Sequence, residues 1–383
     1  MKMASDRFNE ECAVVGLINV PEASNFCYLS LYSLQHRGQE GAGIVSSDGD
    51  VMIAHRDMGL VADVFTVDAL KILEGNSAVG HTRYATFGSK DWANLQPFVA
   101  NFADNSFAVA HNGNLINALE IRSELEQSGS IFSSTSDTEV ILHLIAKADR
   151  SKPLSERVAS ALSRVSGAYS LAVLSHTSLV AARDPHGVRP LSLGKLGDGY
   201  IVASETCAFD LVGAEFIRDI EPGEILQIHK DGSLHSDYSL RDALRQKTGT
   251  VSTPEKTEKA FCVFEYVYFA RPDSSVQGKN VYLVRKRLGR ELAREHPVEA
   301  DLVIPVPDSG VPSAIGYAQE AGLPLEIGLI RNHYVGRTFI EPKQSIRDFG
   351  VKVKLNANPD ILNGKRIVVV DDSIVRGTTC RKL

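Results

Sequence analysis

Short apolar runs separated by Gly, Asn and Asp dominate the chain from Cys12 to about Gln227. The runs CAVVGLINV (12–20), SFAVAHNGNLIN (106–117), YSLAVLSHTSLVAARD (169–184) and YIVASETCAFD (200–210) predict strands or hairpins. Between them, YLSLYSLQHRGQE (28–40) and DTEVILHLIAKA (137–148) place apolar residues three and four apart, the spacing of amphipathic helices. The region is mixed α and β, rich in antiparallel pairing. Residues 241–260, RDALRQKTGTVSTPEKTEKA, are polar with little apolar periodicity and read as an interdomain linker. Beyond them the rhythm changes. Helical VRKRLGRELAREH (284–296) precedes the strand-like ADLVIPVPDSG (300–310). Helical PSAIGYAQEAG (312–322) then precedes LEIGLIRNHY (325–334), and RIVVVDD (366–372) follows. Strands separated by helices predict a parallel α/β sheet.

The totals change this picture little. A length of 383 residues accommodates two or three domains, and 43% hydrophobic with 23% charged residues is ordinary for a globular protein. A formal net charge of -6 gives no reason to expect nucleic acid as the main partner. No apolar run reaches the length of a membrane span, and the first eleven residues lack the apolar core of a secretory signal. The five cysteines are scattered without a CxxC pair, which fits a reducing cytoplasm.

The last predicted strand carries the first chemical signal. Four β-branched residues, Ile367 to Val370, run into Asp371 and Asp372, then Ser373 and a turn of small and hydroxyl residues. Ligands of open parallel sheets bind beyond the carboxyl ends of the strands. The backbone N–H groups and hydroxyls of SIVRGTT suit a phosphate. Adjacent carboxylates would repel that phosphate, so they need ribose hydroxyls, a Mg²⁺ ion, or both. A phosphorylated sugar satisfies both halves. The string VVVDDSIVRGTT resembles the phosphoribosyl pyrophosphate (PRPP) motif of type I phosphoribosyltransferases. The resemblance implies PRPP contacts from Asp371, Asp372, Ser373, Arg376, Gly377, Thr378 and Thr379, with Mg²⁺ at Asp371, Asp372 and Ser309 of the diphosphate loop PVPDSG (305–310). Residues 331–350 resemble the loop that closes over PRPP and excludes water.

The second signal lies at the start. Cys12 opens the first predicted strand, and QHRGQEGAGI (35–44), GHTRYATFG (80–88), HNGNLIN (111–117) and STSDTE (134–139) accompany it. Together these resemble class II, N-terminal-nucleophile glutamine amidotransferases over most of residues 12–230. The resemblance implies an αββα glutaminase domain whose cysteine becomes residue one after removal of an eleven-residue propeptide. It assigns the nucleophile to Cys12, the oxyanion hole to Asn112 and Gly113, the glutamine α-carboxylate to Arg83 and the α-ammonium to Asp137. Residues 83–92 become a lid, and Arg37 a structural residue at the nucleophile's edge. His36, His81 and His111 lie in three separate motifs without metal-ligand spacing.

The two halves, in this order, resemble the amidophosphoribosyltransferases. That family's implied organisation is a propeptide (1–11), a glutaminase domain (12–240), a linker (241–260) and a phosphoribosyltransferase domain (261–383) cut short at its C-terminus, with an apolar face left exposed. Its implied reaction converts glutamine, PRPP and water into 5-phosphoribosylamine, glutamate and diphosphate, the committed step of purine synthesis, with ammonia channelled between sites. The implied assembly is a homotetramer or dimer inhibited by purine nucleotides. Members with a leader often bind a [4Fe–4S] cluster through four cysteines; Cys262 matches the first of these, the other three would lie beyond residue 383, and Cys380 matches none. The alternatives are a glutaminase-only fragment, a PRPP-sensing regulator, or a glucosamine-6-phosphate or asparagine synthase. The PRPP motif argues against both synthases, and the cysteine half is unexplained in a regulator.

Overall fold

Every residue of the strand Ala13–Ile18 is buried, and its alternate side chains enter different cores. Ala13, Val15 and Leu17 join one apolar cluster, whereas Val14 and Ile18 join another. A strand with period-two side chains and no polar face must be covered on both sides. That single strand therefore announces a layered domain. The protein is described by a computed structural model covering residues 12–84, 92–102, 106–248, 260–332 and 355–374. The chain divides between Cys262 and Val263 into two units.

In the first unit Ala13–Ile18 lies inside a seven-stranded sheet. The order runs Glu215–Asp219, Ser192–Leu196, Gly199–Ala203, Ala13–Ile18, Ser77–Arg83, Gly41–Ser47, Met52–Met58, and all neighbours are antiparallel. A six-stranded antiparallel sheet faces it, in the order Leu234–Asp237, Ile225–His229, Ser178–Arg183, Gly167–Ser175, Phe107–Leu115, Phe98–Ala100. Val14, Ile18, Val45 and Val79 of the first sheet meet Ala108, Ala110, Ala172 and Leu174 of the second in the central core. The small residues matter: a Cβ on Gly16 would sit 2.9 Å from Leu179 Cδ1, so the sheets close tightly at that point. Helices Ala23–Ser33 and Cys207–Val212 cover the outer face of the larger sheet. Helices Ala118–Gln127, Asp137–Lys147 and Leu154–Leu162 cover the other. The result is the αββα order of layers.

In the second unit Leu302–Pro305 and Ile367–Val370 pair in parallel, with Leu302 opposite Ile367 and Pro305 opposite Val370. Helices Val281–Glu295 and Val311–Ala321 touch backbone to backbone. A Cβ on Gly289 would lie 1.9 Å from Ser313 O, and one on Gly316 1.9 Å from Lys286 O. Ala293, Ala314 and Tyr317 pack with Val303 and Val370 on one side of the strands; Leu302, Ile304, Val306 and Leu329 pack together on the other. Ile367 and Val369 are exposed apolar residues of their strand.

Several sequence expectations need correction. Residues 241–248, taken as the start of the linker, belong to the helix Ser239–Thr248, which pins Leu240 in the core of the first unit. The helix expected from Tyr28 begins at Ala23 and ends at Ser33, followed by a short 3-10 turn Gln35–Arg37. Its start is disguised because Glu22 precedes it in a left-handed conformation (φ 53°) without a side-chain cap. The second half of 200–210 is helical rather than extended. Among the described residues of 325–334, Leu325 alone bridges to the parallel sheet, at Val303, whereas Leu329–Arg331 pairs antiparallel with Leu355–Ala357.

Candidate active site

Cys12 directly precedes Ala13–Ile18, and the register that sets Ala13 opposite Thr82 continues to place Cys12 beside Arg83. The thiol is 8% exposed and donates to the Tyr84 carbonyl over 3.6 Å. Burial pushes the Cys12 pKa up, against the opposing pull of that bond and of the Arg83 and Arg189 guanidinium groups; Asp137 adds to the rise. These influences favour the thiol form of Cys12.

Arg37 is fully buried and grips Cys12 by its backbone: Nε donates to Cys12 O at 3.0 Å. Its Nη1 donates to Glu205 Oε1 at 2.7 Å, and His36 Nε2 lies 2.7 Å from the same oxygen. Burial by itself would raise the Glu205 pKa. His36 and Arg37 outweigh it and hold the carboxylate well below its usual range. Glu205→Ala leaves the Arg37 charge buried without its carboxylate, and is expected to cost about 3–5 kcal/mol in denaturant unfolding. A loss below 1 kcal/mol would show that Arg37 does not need its acid.

Two neighbouring strands bring up the remaining groups. His81, fully buried in Ser77–Arg83, approaches His111 O of the facing sheet to 3.1 Å through Nε2. Burial, Arg83 and His111 lower its pKa to about 3, so it is neutral and Nε2 carries the donated proton. His111 N in turn donates to Gln96 Oε1 at 2.7 Å, and His111 Nδ1 lies 3.0 Å from Thr138 Oγ1. These bonds fix the backbone just before Asn112.

Asn112 is 1% exposed, yet neither its amide nitrogen nor its amide oxygen has a hydrogen-bond partner among the described residues. An unsatisfied buried polar group costs about 1–3 kcal/mol. Gly113 follows with φ 156°, and a Cβ there would fall 2.0 Å from Ala168 O. Only glycine fits this backbone. Arg83 Nη1 donates to Asn94 O at 2.6 Å. Asp137 opens the helix Asp137–Lys147, 94% buried, where Oδ2 accepts from Leu115 N at 2.9 Å and Oδ1 lies 3.8 Å from His111 Nδ1. Ser136 caps that helix by accepting from Thr138 N.

The second unit places its candidates at the carboxyl ends of the parallel strands. Val306 N donates to Val370 O at 2.8 Å, so PVPDSG and DDS leave the sheet side by side. Gly310 lets them touch: a Cβ there would lie 2.5 Å from Val370 O and 3.3 Å from Asp371 Cα. Asp371 and Asp372 are half-buried, and Asp372 N donates to Asp371 Oδ1 at 2.9 Å. Burial, then the charge of Asp372, raises the Asp371 pKa. Ser373 Oγ donates to Asp372 Oδ1 at 2.7 Å. Asp308 of the neighbouring loop pairs with Arg331. Ser309 is half-buried in the same turn.

The propeptide, lid residues 85–91, loop residues 333–350, and Arg376, Gly377, Thr378, Thr379 and Cys380 lie outside the described residues. The sequence reading missed Glu205, Asn94 and Gln96. Each is a lone polar residue whose partners are 11 to 169 residues away, so local spacing carries no sign of it. Among the described residues no group of three or more His, Cys, Asp and Glu is placed to hold a metal, and no helix is long and apolar enough to cross a membrane. Cys12, Cys27, Cys207 and Cys262 are free thiols, the first three buried in the first unit.

The chain is similar to proteins of known family. Residues 81–210, which carry Arg83, Asn112, Gly113, Asp137 and Glu205, match the model of the glutamine amidotransferase domain. An amidophosphoribosyltransferase of Rhizobium etli is 51% identical over 99% of this chain and 74% of its own length. That of Bacillus subtilis is 48% identical over 98% of this chain and 76% of its own. The structure of the B. subtilis glutamine PRPP amidotransferase, complexed with ADP and GMP, superposes with a TM-score of 0.86 at 46% identity, covering 97% of this chain and 78% of that one. Identity of this extent across both the cysteine site and the paired-acid loop means that the chain belongs to the amidophosphoribosyltransferase family.

Proposed function

We propose that the first unit hydrolyses glutamine at Cys12 and that the second joins the released ammonia to C1 of PRPP. The observation that carries the first half is Asn112, whose buried amide has no partner among the described residues and stands beside a glycine that tolerates no side chain. Such a pair is shaped to receive an oxyanion. Cys12 Sγ attacks the glutamine δ-carbon; Asn112 Nδ2 and Gly113 N donate to the oxygen as it becomes negative. The C–N bond then breaks, ammonia leaves with a proton, and water hydrolyses the thioester to glutamate. Arg83 takes the substrate α-carboxylate as a guanidinium fork, and Asp137 the α-ammonium.

A protonated thiol needs a base. The α-amine of a freed Cys12, with an ordinary pKa of about 8, lies on the same residue and serves. An amide nitrogen joined to Glu11 cannot accept that proton, so removal of residues 1–11 is the activating step. Arg37 and Glu205 hold the Cys12 carbonyl while the amine works.

In the second unit the raised pKa of Asp371 supports the other half, because a half-buried acid pair gains by meeting a cation and hydroxyls. Asp371, Asp372 and Ser309 would hold Mg²⁺ and the ribose of PRPP. When bound, Mg²⁺ neutralises charge on the diphosphate leaving group. Ammonia nitrogen bonds to C1 as the C1–diphosphate bond breaks. The product, 5-phosphoribosylamine, places the chain at the committed step of purine synthesis. Purine nucleotides would be its inhibitors and a homo-oligomer its assembly, and the free thiols suit the cytoplasm. Cys262 would supply one ligand of a [4Fe–4S] cluster, a group that the described residues by themselves do not complete.

The test is binding of PRPP with Mg²⁺, followed by calorimetry. Replacing Asp371 and Asp372 together with Asn keeps size and removes two charges; affinity is expected to fall at least about tenfold, one lost charged contact. Hydrolysis of glutamine at Cys12 should persist. Unchanged PRPP affinity would reduce the acids to a helix cap.

A further inference from the structure

We infer that Asn94 is a positioning residue for glutamine: it ties Arg83 to the start of the Asp137 helix and so sets the spacing between the groups that take the substrate's α-carboxylate and α-ammonium. The inference rests on the glutaminase reading above and adds a residue that does not touch the substrate.

Asn94 ends the short turn Trp92–Asn94 and is 1% exposed. It works in two directions. Its backbone carbonyl accepts the 2.6 Å bond from Arg83 Nη1. Its side chain forms a closed pair with Thr135: Oδ1 accepts from Thr135 N at 2.9 Å, and Nδ2 donates to Thr135 Oγ1 at 3.0 Å. Thr135 stands next to the cap Ser136 and two residues before Asp137. Arg83 belongs to the seven-stranded sheet and the Asp137 helix packs on the six-stranded one, so no ladder hydrogen bond fixes their separation. The Asn94 clamp does.

The flanking chain keeps that clamp in place. Leu95 is fully buried against Gly41, where a Cβ would meet Leu95 Cδ2 at 2.4 Å. Arg56 Nη1 donates to Leu95 O at 2.9 Å and Pro97 O at 3.1 Å, and Trp92 Nε1 donates to Arg56 O at 3.2 Å. Gln96, two residues on, serves the oxyanion side through His111 N instead. The division predicts that Asn94 governs recognition and leaves the thiol's intrinsic reactivity alone.

Two labels separate these quantities in mature protein whose first residue is Cys12. 6-Diazo-5-oxo-L-norleucine carries the α-carboxylate and α-ammonium of glutamine, whereas iodoacetamide carries neither. In Asn94→Ala, Cys12 inactivation by the first is expected to slow about 10–100-fold, with a matching rise in glutamine KM and kcat within about threefold. Alkylation by iodoacetamide should keep its rate. Thr135→Val removes the hydroxyl from the other side and should move in the same direction, with Thr135→Ser restoring the parent values; this pair decides the matter if Asn94→Ala does not fold. Equal slowing of both labels, or no slowing of either, overturns the positioning role. Parent protein labelled by the glutamine analogue elsewhere than Cys12 overturns the glutaminase reading, and this inference with it.

Discussion

Cys12→Ala is expected to abolish glutamine hydrolysis while the folded protein survives. The change removes one sulfur from a site 8% exposed, a loss of about 1 kcal/mol in burial. The backbone grip of Arg37 on the Cys12 carbonyl does not involve the side chain and persists. Neither of the other buried cysteines of the first unit can replace it. Cys27 is buried in the apolar core with its pKa pushed above the normal thiol range by burial, and Cys207 is 2% exposed with its thiol donating to Glu205 Oε2 over 3.7 Å. The measurement is glutamate release by the purified variant, alongside its thermal unfolding. Turnover near the parent rate would remove Cys12 from the mechanism. A protein that retains residues 1–11 should be as inactive as the variant, because its thiol is buried and protonated with no amine to deprotonate it.

Asn112→Ala should lower glutamine kcat by roughly 10²–10³, the usual effect of deleting one oxyanion donor. KM should change much less, since the oxyanion exists only along the reaction path. Arg83→Ala should show the converse, a raised KM with kcat largely kept, because its contact is present before and during the reaction. Stability provides a second readout for Asn112. Its amide is buried without a partner, so alanine removes a desolvated polar group and breaks no hydrogen bond among the described residues. Folding stability is therefore expected to hold or rise as activity collapses. A variant that loses stability and activity together would show that Asn112 supports the fold instead.

How much of this could be read from sequence varied with the range of the interaction. The strand around Val14 was legible because an unbroken apolar run has few alternatives. The DDS turn was legible because chemistry and strand end are adjacent in the chain. Gly113 was legible as a glycine among polar residues, although the sequence did not say what forbids a side chain; that is Ala168 O of the neighbouring strand. The helix Ser239–Thr248 was hidden, since apart from Leu240, Ala243 and Leu244 its residues are polar and it looks like linker.

The sequence by itself determined the chemical inventory: a thiol at the head of an apolar strand, an Asn-Gly pair, and two acids after a β-branched strand. Each of these depends on residue type and near neighbours, which linear order preserves. The tertiary structure alone decided how those groups are held. Glu205 reaches Arg37 from 168 residues away, and Arg37 reaches the Cys12 carbonyl. Asn94 spans from Arg83 to Thr135, and Val306 binds Val370 so that two loops emerge together. These contacts arise where separate sheets, helices and strand ends meet in packing. A buried charge or amide must be paired at whatever sequence distance the fold dictates, and nothing in the local pattern records that distance.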